Sequence, residues 1–159
     1  MKNLKRAAIA LASAAVMSVG VVSPASALSS HPALSFRLPA PSSSPVSKDA
    51  GHIENETVRL LNDYRASRGL NRLNVDPGLT SQARGWSQRM AGGSSFAHSN
   101  SNVFENIAWN THAGSDSFFN QWKGSPGHNR NMLEAGVTKV GVGVAYAPDG
   151  KAYATMQLS

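Results

Sequence analysis

Two imidazoles and one carboxylate, His98, Glu105 and His128, are the side chains of this 159-residue sequence best suited to chemistry. They stand in the phrases Phe96-Ala97-His98-Ser99, Phe104-Glu105-Asn106-Ile107-Ala108 and Trp122-Lys123-Gly124-Ser125-Pro126-Gly127-His128. Small residues and turn formers surround both histidines, so their side chains can point into a cleft instead of a core. Two histidines and a glutamate are a sufficient set for a divalent cation, zinc above all, with one coordination position open to water. Their spacing is long, however, and no His-Glu-x-x-His pair is present. Three uses therefore stay open: a metal centre with Glu105 as general base on bound water, a ligand cleft, and a hydrogen-bonded structural clasp. Nucleophilic hydrolysis is poorly supported, because the chain has no cysteine and no Gly-x-Ser-x-Gly elbow.

The elements that must position this trio follow from period and punctuation. Val58, Leu61 and Tyr64 recur at helical spacing, and Gly69 ends that helix. Asp76-Pro77 predicts a second start, with the carboxylate as N-cap and proline at the first helical position. Leu79, Ala83, Trp86 and Met90 then form a stripe read as core packing, and Gly92-Gly93 stops the helix. The two helices are expected to share one layer. His98 falls in the loop just past the second helix, and Glu105 stands between apolar neighbours, where a carboxylate is either paired or shifted in pKa.

Ser115 is expected to cap a short helix carrying Phe118, Phe119 and Trp122, and Ser125-Pro126 to restart it with His128 in the first turn. The positive end of a helix disfavours imidazolium and so favours the neutral ring that metal binding or base chemistry needs. Val140, Val142 and Val144 then alternate with small residues, Pro148-Asp149-Gly150 makes a hairpin turn, and residues 152–158 return as the partner strand. Tyr153, Thr155 and Gln157 fall on one face of that strand, Ala154, Met156 and Leu158 on the other. Helices first and strands after predict an α+β domain with an antiparallel sheet.

Upstream of this unit the composition changes. Lys2, Lys5 and Arg6 precede an apolar run from Ala7 to Val22, and Ala25-Ser26-Ala27 has the form of a signal peptidase site. That run is short for a membrane span, which needs about 20 residues. Residues 1–27 therefore read as a cleaved secretory signal, and residues 28–50, with Pro32, Pro39, Pro41 and Pro45, as a disordered spacer before a domain at 51–159. Cleavage leaves 12 of the 15 basic residues against nine acidic ones. The arginines are dispersed with no basic run, which excludes nucleic acid as the expected partner. With no cysteine, the domain must be held by its core alone, and no lipid-modified thiol can anchor it.

The three phrases around His98, Glu105 and His128, with Asn62, Tyr64, Arg65 and Gly69 in the first helix, resemble the CAP superfamily: cysteine-rich secretory proteins, antigen 5 and pathogenesis-related proteins, also called the SCP domain. The likeness covers residues 53–158 and is to the short, cysteine-free bacterial form. It implies an α-β-α sandwich with a central antiparallel sheet, on one face of which the three polar residues meet. It also implies that His98 and His128 are similar to metal ligands, that an acidic residue bridges to them, and that Asn62 and Arg65 tie the first helix to neighbouring backbone. Two departures stand out. Ser125 occupies the place where many members carry a second acid, and Phe104 the place of a glycine, so a narrower cleft without a carboxylate pair is expected.

The resulting expectation is a secreted, monomeric binding module, released or loosely held at the cell envelope. Its cleft of His98, Glu105, His128 and Ser125 would take a small lipid-like or peptide ligand or an envelope component, with zinc or another divalent cation on His98 and His128 as an added option. A metal-dependent peptide hydrolase is the alternative.

Overall fold

The computed structural model describes residues 49–159. The expected signal and residues 28–48 of the expected spacer lie outside that range. The described elements are α1 (Ala50–Ser67), β1 (Asn74–Val75), α2 (Pro77–Ala91), β2 (Phe104–Asn110), α3 (Ser115–Gly124), α4 (Pro126–Met132), β3 (Lys139–Tyr146) and β4 (Ala152–Leu158).

Local chemistry accounts for most of these limits. The Asp49 side chain accepts from the Gly51 N–H and starts α1, inside the stretch read as spacer. Gly69 ends that helix at φ 73° and Gly93 follows α2 at φ 98°, both in the left-handed region that a side chain disfavours. Asp76 caps α2 by accepting from the Leu79 N–H at 3.0 Å, with Pro77 in the first turn. Ser115 does not cap α3. The N-cap is Gly114, and the capping hydroxyl is that of Ser117, which accepts from the Gly114 N–H.

The sheet runs β1-β3-β4-β2. The β3–β4 hairpin is antiparallel, as is the β2–β4 pair, which sets Glu105 opposite Gln157 and Trp109 opposite Tyr153. β2 was not legible as a strand in the sequence, and β1 adds a two-residue parallel edge to the otherwise antiparallel sheet.

Alternation along β3 separates the two helical layers. Val140, Val142 and Val144 join Ile53, Leu61 and Tyr64 of α1 and Phe118, Phe119 and Trp122 of α3 in the main core. Gly141 and Gly143 point the other way and lie against the α2 backbone at Leu79–Thr80 and Ala83–Arg84. α1 and α2 therefore lie on opposite faces of the sheet, which corrects the expectation of one shared layer and completes the α-β-α sandwich. Ser87 seals the α2 side, its hydroxyl 2.9 Å from both the Gly143 carbonyl and the Thr155 hydroxyl. Buried Glu54 of α1 accepts from the Val144 N–H at 3.0 Å and from the Arg84 guanidinium of α2, joining the two layers round the β3 edge.

Asn62 and Arg65 serve as ties. Asn62 brackets Leu73 through its carbonyl and N–H, and the fully buried Arg65 guanidinium donates to the Asn71, Met132 and Glu134 carbonyls. The close approach of α2 to the sheet leads to a test. A methyl group at Gly143 would collide with helix backbone, which cannot move aside, whereas one at Gly85 meets nothing within 4 Å. Gly143→Ala is expected to lower stability by about 3 kcal/mol, the upper end of overpacking costs, and Gly85→Ala to leave it unchanged or raise it by roughly 0.5 kcal/mol. Urea unfolding of both variants checks this; equal midpoints would contradict the packing.

Candidate functional site

Three separate elements deliver the trio. His98 lies in the α2–β2 loop, Glu105 is the second residue of β2, and His128 is in the first turn of α4. The loop is pinned by Trp86, whose indole N–H donates to the Ala97 carbonyl at 2.9 Å. Trp86 is only half-buried, so its main task is to hold the residue before His98, not to fill the core as expected. α4 is tied to β2 by two amides: Asn106 donates to the His128 carbonyl at 3.0 Å, and Asn131 donates to Asn106 Oδ1 and to the Glu105 carbonyl.

Glu105 is the hub. Its Oε1 accepts from His98 Nδ1 at 3.0 Å and from the Ser99 N–H at 2.8 Å. Its Oε2 accepts from Gln157 Nε2 at 2.9 Å and from the Ser99 hydroxyl. A carboxylate offers about four lone-pair sites, and all are used. Because a carboxylate only accepts, His98 Nδ1 must carry the shared proton. Burial pushes the Glu105 carboxyl up, but the bonds from His98, Ser99 and Gln157 outweigh it and hold the group below the usual carboxylate range, ionised at neutral pH.

His128 is the opposite case. It is 6 % exposed, and neither ring nitrogen has a hydrogen-bond partner. Its ring centre lies 6.4 Å from that of His98. Burial first, and the neighbouring His98 second, push its pKa down to about 4, so the ring is neutral at physiological pH. Gln157 Oε1 is a further buried acceptor without a partner. Ser125 starts α4 through its backbone, but its side chain makes no capping bond.

The structure thus brings His98, Glu105 and His128 together and leaves Ser125 at the start of α4. Sequence reasoning assigned no role here to Ser99, Asn106, Asn131 or Gln157. Alternation along β4 set Gln157 apart from the apolar face, yet only the register with β2 places it on Glu105. Among the described residues no group of three His, Cys, Asp or Glu side chains is arranged to hold a metal ion. A separate shallow groove lined by Asn55, Pro77, Thr80, Arg84 and Gln88 contains none of these residues.

The fold has counterparts among solved structures. An outer surface protein from Borrelia burgdorferi superposes with a TM-score of 0.59 at 15% identity, over 65% of this chain and 89% of that one. An extracellular SCP-domain protein from Bacillus anthracis gives 0.58 at 23%, over 73% of this chain and 45% of that one. NaASP2, crystallised with Zn2+, gives 0.54 at 15%, over 72% and 80%. At these identities the likeness establishes the fold. No curated protein matches the chain. The model of the cysteine-rich secretory protein family, CAP, matches residues 58–158, from the third turn of α1 through all three site-bearing elements to the end of β4. That span takes in the sheet, both helical layers and the trio, and so this chain, although it has no cysteine, belongs to the CAP family.

Proposed function

We propose that this protein is a secreted binding module whose cleft, lined by His98, Glu105 and His128 with Ser125 at its edge, holds a small lipid-like or peptide ligand. The observation that carries this reading is the unpartnered His128. A buried polar group without a hydrogen bond costs roughly 1–3 kcal/mol, and a neutral imidazole can both donate to and accept from a ligand's polar group. His98, anchored by Glu105, would flank that group. No helix among the described residues is long and apolar enough to cross a membrane, and the relatives described as extracellular or outer-surface proteins support a location outside the cell.

A divalent cation is the second reading, favoured by the two facing imidazoles and by the Zn2+ in the NaASP2 crystal. The residues fit a two-nitrogen site, not the three protein ligands of a catalytic zinc centre. His98 and His128 would hold the ion, with the Glu105 carboxylate orienting His98 through Nδ1 as a carboxylate partner commonly does for a ligating histidine. The bound ion would supply a charge for an anionic ligand group. A hydrolase with Glu105 as general base is disfavoured, because every lone pair of that carboxylate already accepts a hydrogen bond.

Calorimetric titration of zinc, and separately of a fluorescent fatty acid, into chelator-stripped full chain tests both readings beside a His98→Ala, His128→Ala double variant. Binding of one probe, weakened at least about tenfold in the variant, about 1.4 kcal/mol, is the expected result. Equal binding by variant and parent would overturn the cleft assignment.

Stability should also separate the two kinds of residue. Glu105→Gln removes the charge that four donors face and should cost about 2–4 kcal/mol, whereas His128→Gln should cost far less at pH 7. The pH dependence follows from the sign of the His128 shift. Its ring takes up a proton near pH 6.5 when unfolded but only near pH 4 when folded. The unfolded state therefore binds more protons between these values, and stability falls as pH drops from 6.5 to 4, by roughly 3 kcal/mol in all. The Glu105 contribution starts to fall as pH drops through the ordinary carboxylate value of 4.5 and is fully lost only below its lowered folded value, so the upper part of the window belongs to His128. Denaturant titrations should show the slope between pH 6.5 and about 5, above the carboxylate range, in the parent and not in His128→Gln; the same slope in both would refute the buried neutral state.

A further inference from the structure

Next to the cleft, on the same face of β2 and β4, lies a row of aromatic rings that the cleft reading does not use. Trp109 and Tyr153 are cross-strand partners, four residues along their strands from Glu105 and Gln157, so all four share one face. Phe96, two residues before His98, lies with its ring centre 6.4 Å from that of Tyr153 and is 45 % exposed. Trp86, pinned to Ala97, continues the row onto α2. Trp86, Trp109 and Tyr153 are half-buried, each keeping part of its surface in solvent. Two cations flank the row: Lys151 Nζ lies 5.6 Å from the Trp109 ring centre, and the Arg89 guanidinium 5.8 Å from that of Trp86.

The unspent polar groups narrow the partner's chemistry. Among the described residues, neither the Trp109 indole N–H nor the Tyr153 hydroxyl has a hydrogen-bond partner in the chain, whereas the Trp86 N–H does. An acyl chain would cover the rings and leave these donors unpaired and the cations stranded. Single-stranded nucleic acid also stacks on aromatics, but it needs a cationic track along its backbone, and here only two cations are present, Lys151 being paired to Asp149 at 2.9 Å. A sugar ring satisfies every feature. Its C–H face packs on an aromatic ring, its edge hydroxyls accept from Trp109 and Tyr153 and donate to Asp149, and a single ring carboxylate reaches Arg89, which makes no ion pair among the described residues, so no continuous cationic track is needed.

We propose that the Phe96–Tyr153–Trp109 platform binds an acidic polysaccharide, with sugar rings stacked on the aromatic faces and a uronate carboxylate held by Arg89. This surface is separate from the His128 site, and the two succeed or fail independently.

Affinity electrophoresis of the full chain through gels containing polygalacturonate tests the proposal, with the neutral glucan laminarin, single-stranded DNA and anionic phospholipid vesicles as comparison probes. Polygalacturonate should retard the protein more than laminarin does. Trp109→Ala should weaken that binding about tenfold, the scale of losing one stacked aromatic. Tyr153→Phe keeps the ring and its packing, removes only the hydroxyl, and should weaken binding several-fold, so it decides the matter even if Trp109→Ala fails to fold. Absence of retardation by polygalacturonate, retardation unchanged in Tyr153→Phe, or Trp109-dependent binding of DNA or vesicles in place of the polysaccharide would each overturn the proposal.

Discussion

The ionised Glu105 carboxylate, buried and met by four donors, is the constraint on which the rest of the site depends. Three of its donors come from the loop at His98–Ser99 and the fourth from Gln157 on β4, so one side chain fixes the loop, strand β2 and strand β4 in one geometry. A buried charge is tolerated only when its hydrogen bonds are complete. Completing them is what fixes His98 in one orientation and tautomer, with its ring centre 6.4 Å from that of His128. Glu105 thus ties the loop to both strands, and the bonds that do so are also what lower its pKa.

His128 gains its character from what Glu105 does not reach. Asn106 and Asn131 lock the backbone of α4 to β2, which holds the imidazole in place without satisfying either nitrogen. The site therefore has one half that is saturated and one, equally buried, that is unpartnered. Within the CAP fold, the unspent polar group of this site is the neutral His128 ring, while the Glu105 carboxylate is fully occupied.

Close packing on the far face supports the same arrangement. Gly141 and Gly143 let α2 rest on the sheet backbone, and Ser87 fastens it to Gly143 and Thr155. With α2 at that height, Trp86 reaches the loop and holds Ala97, the residue before His98. The two glycines in β3 thereby bear on a site two strands away. The same geometry leaves Phe96, Tyr153 and Trp109 in a row beside the cleft.

What the sequence determined by itself was local. The Asp76-Pro77 cap, Gly69 and Gly93, the Pro148-Asp149-Gly150 hairpin and the alternation in β3 and β4 are each decided by the conformational preference of a few adjacent residues, and they were legible for that reason. The family phrases likewise marked His98, Glu105 and His128 as one constellation. Tertiary structure decided the remainder. Strand register, not composition, set Gln157 on Glu105 and made β2 a central-site strand. The side of the sheet on which α2 packs depended on where Gly141 and Gly143 point, and that placed α1 and α2 in opposite layers although both carry similar apolar stripes. Burial, which sums contributions from distant elements, left His128 neutral and unpartnered while it surrounded Glu105 with donors, a distinction between two polar residues that no local pattern encodes.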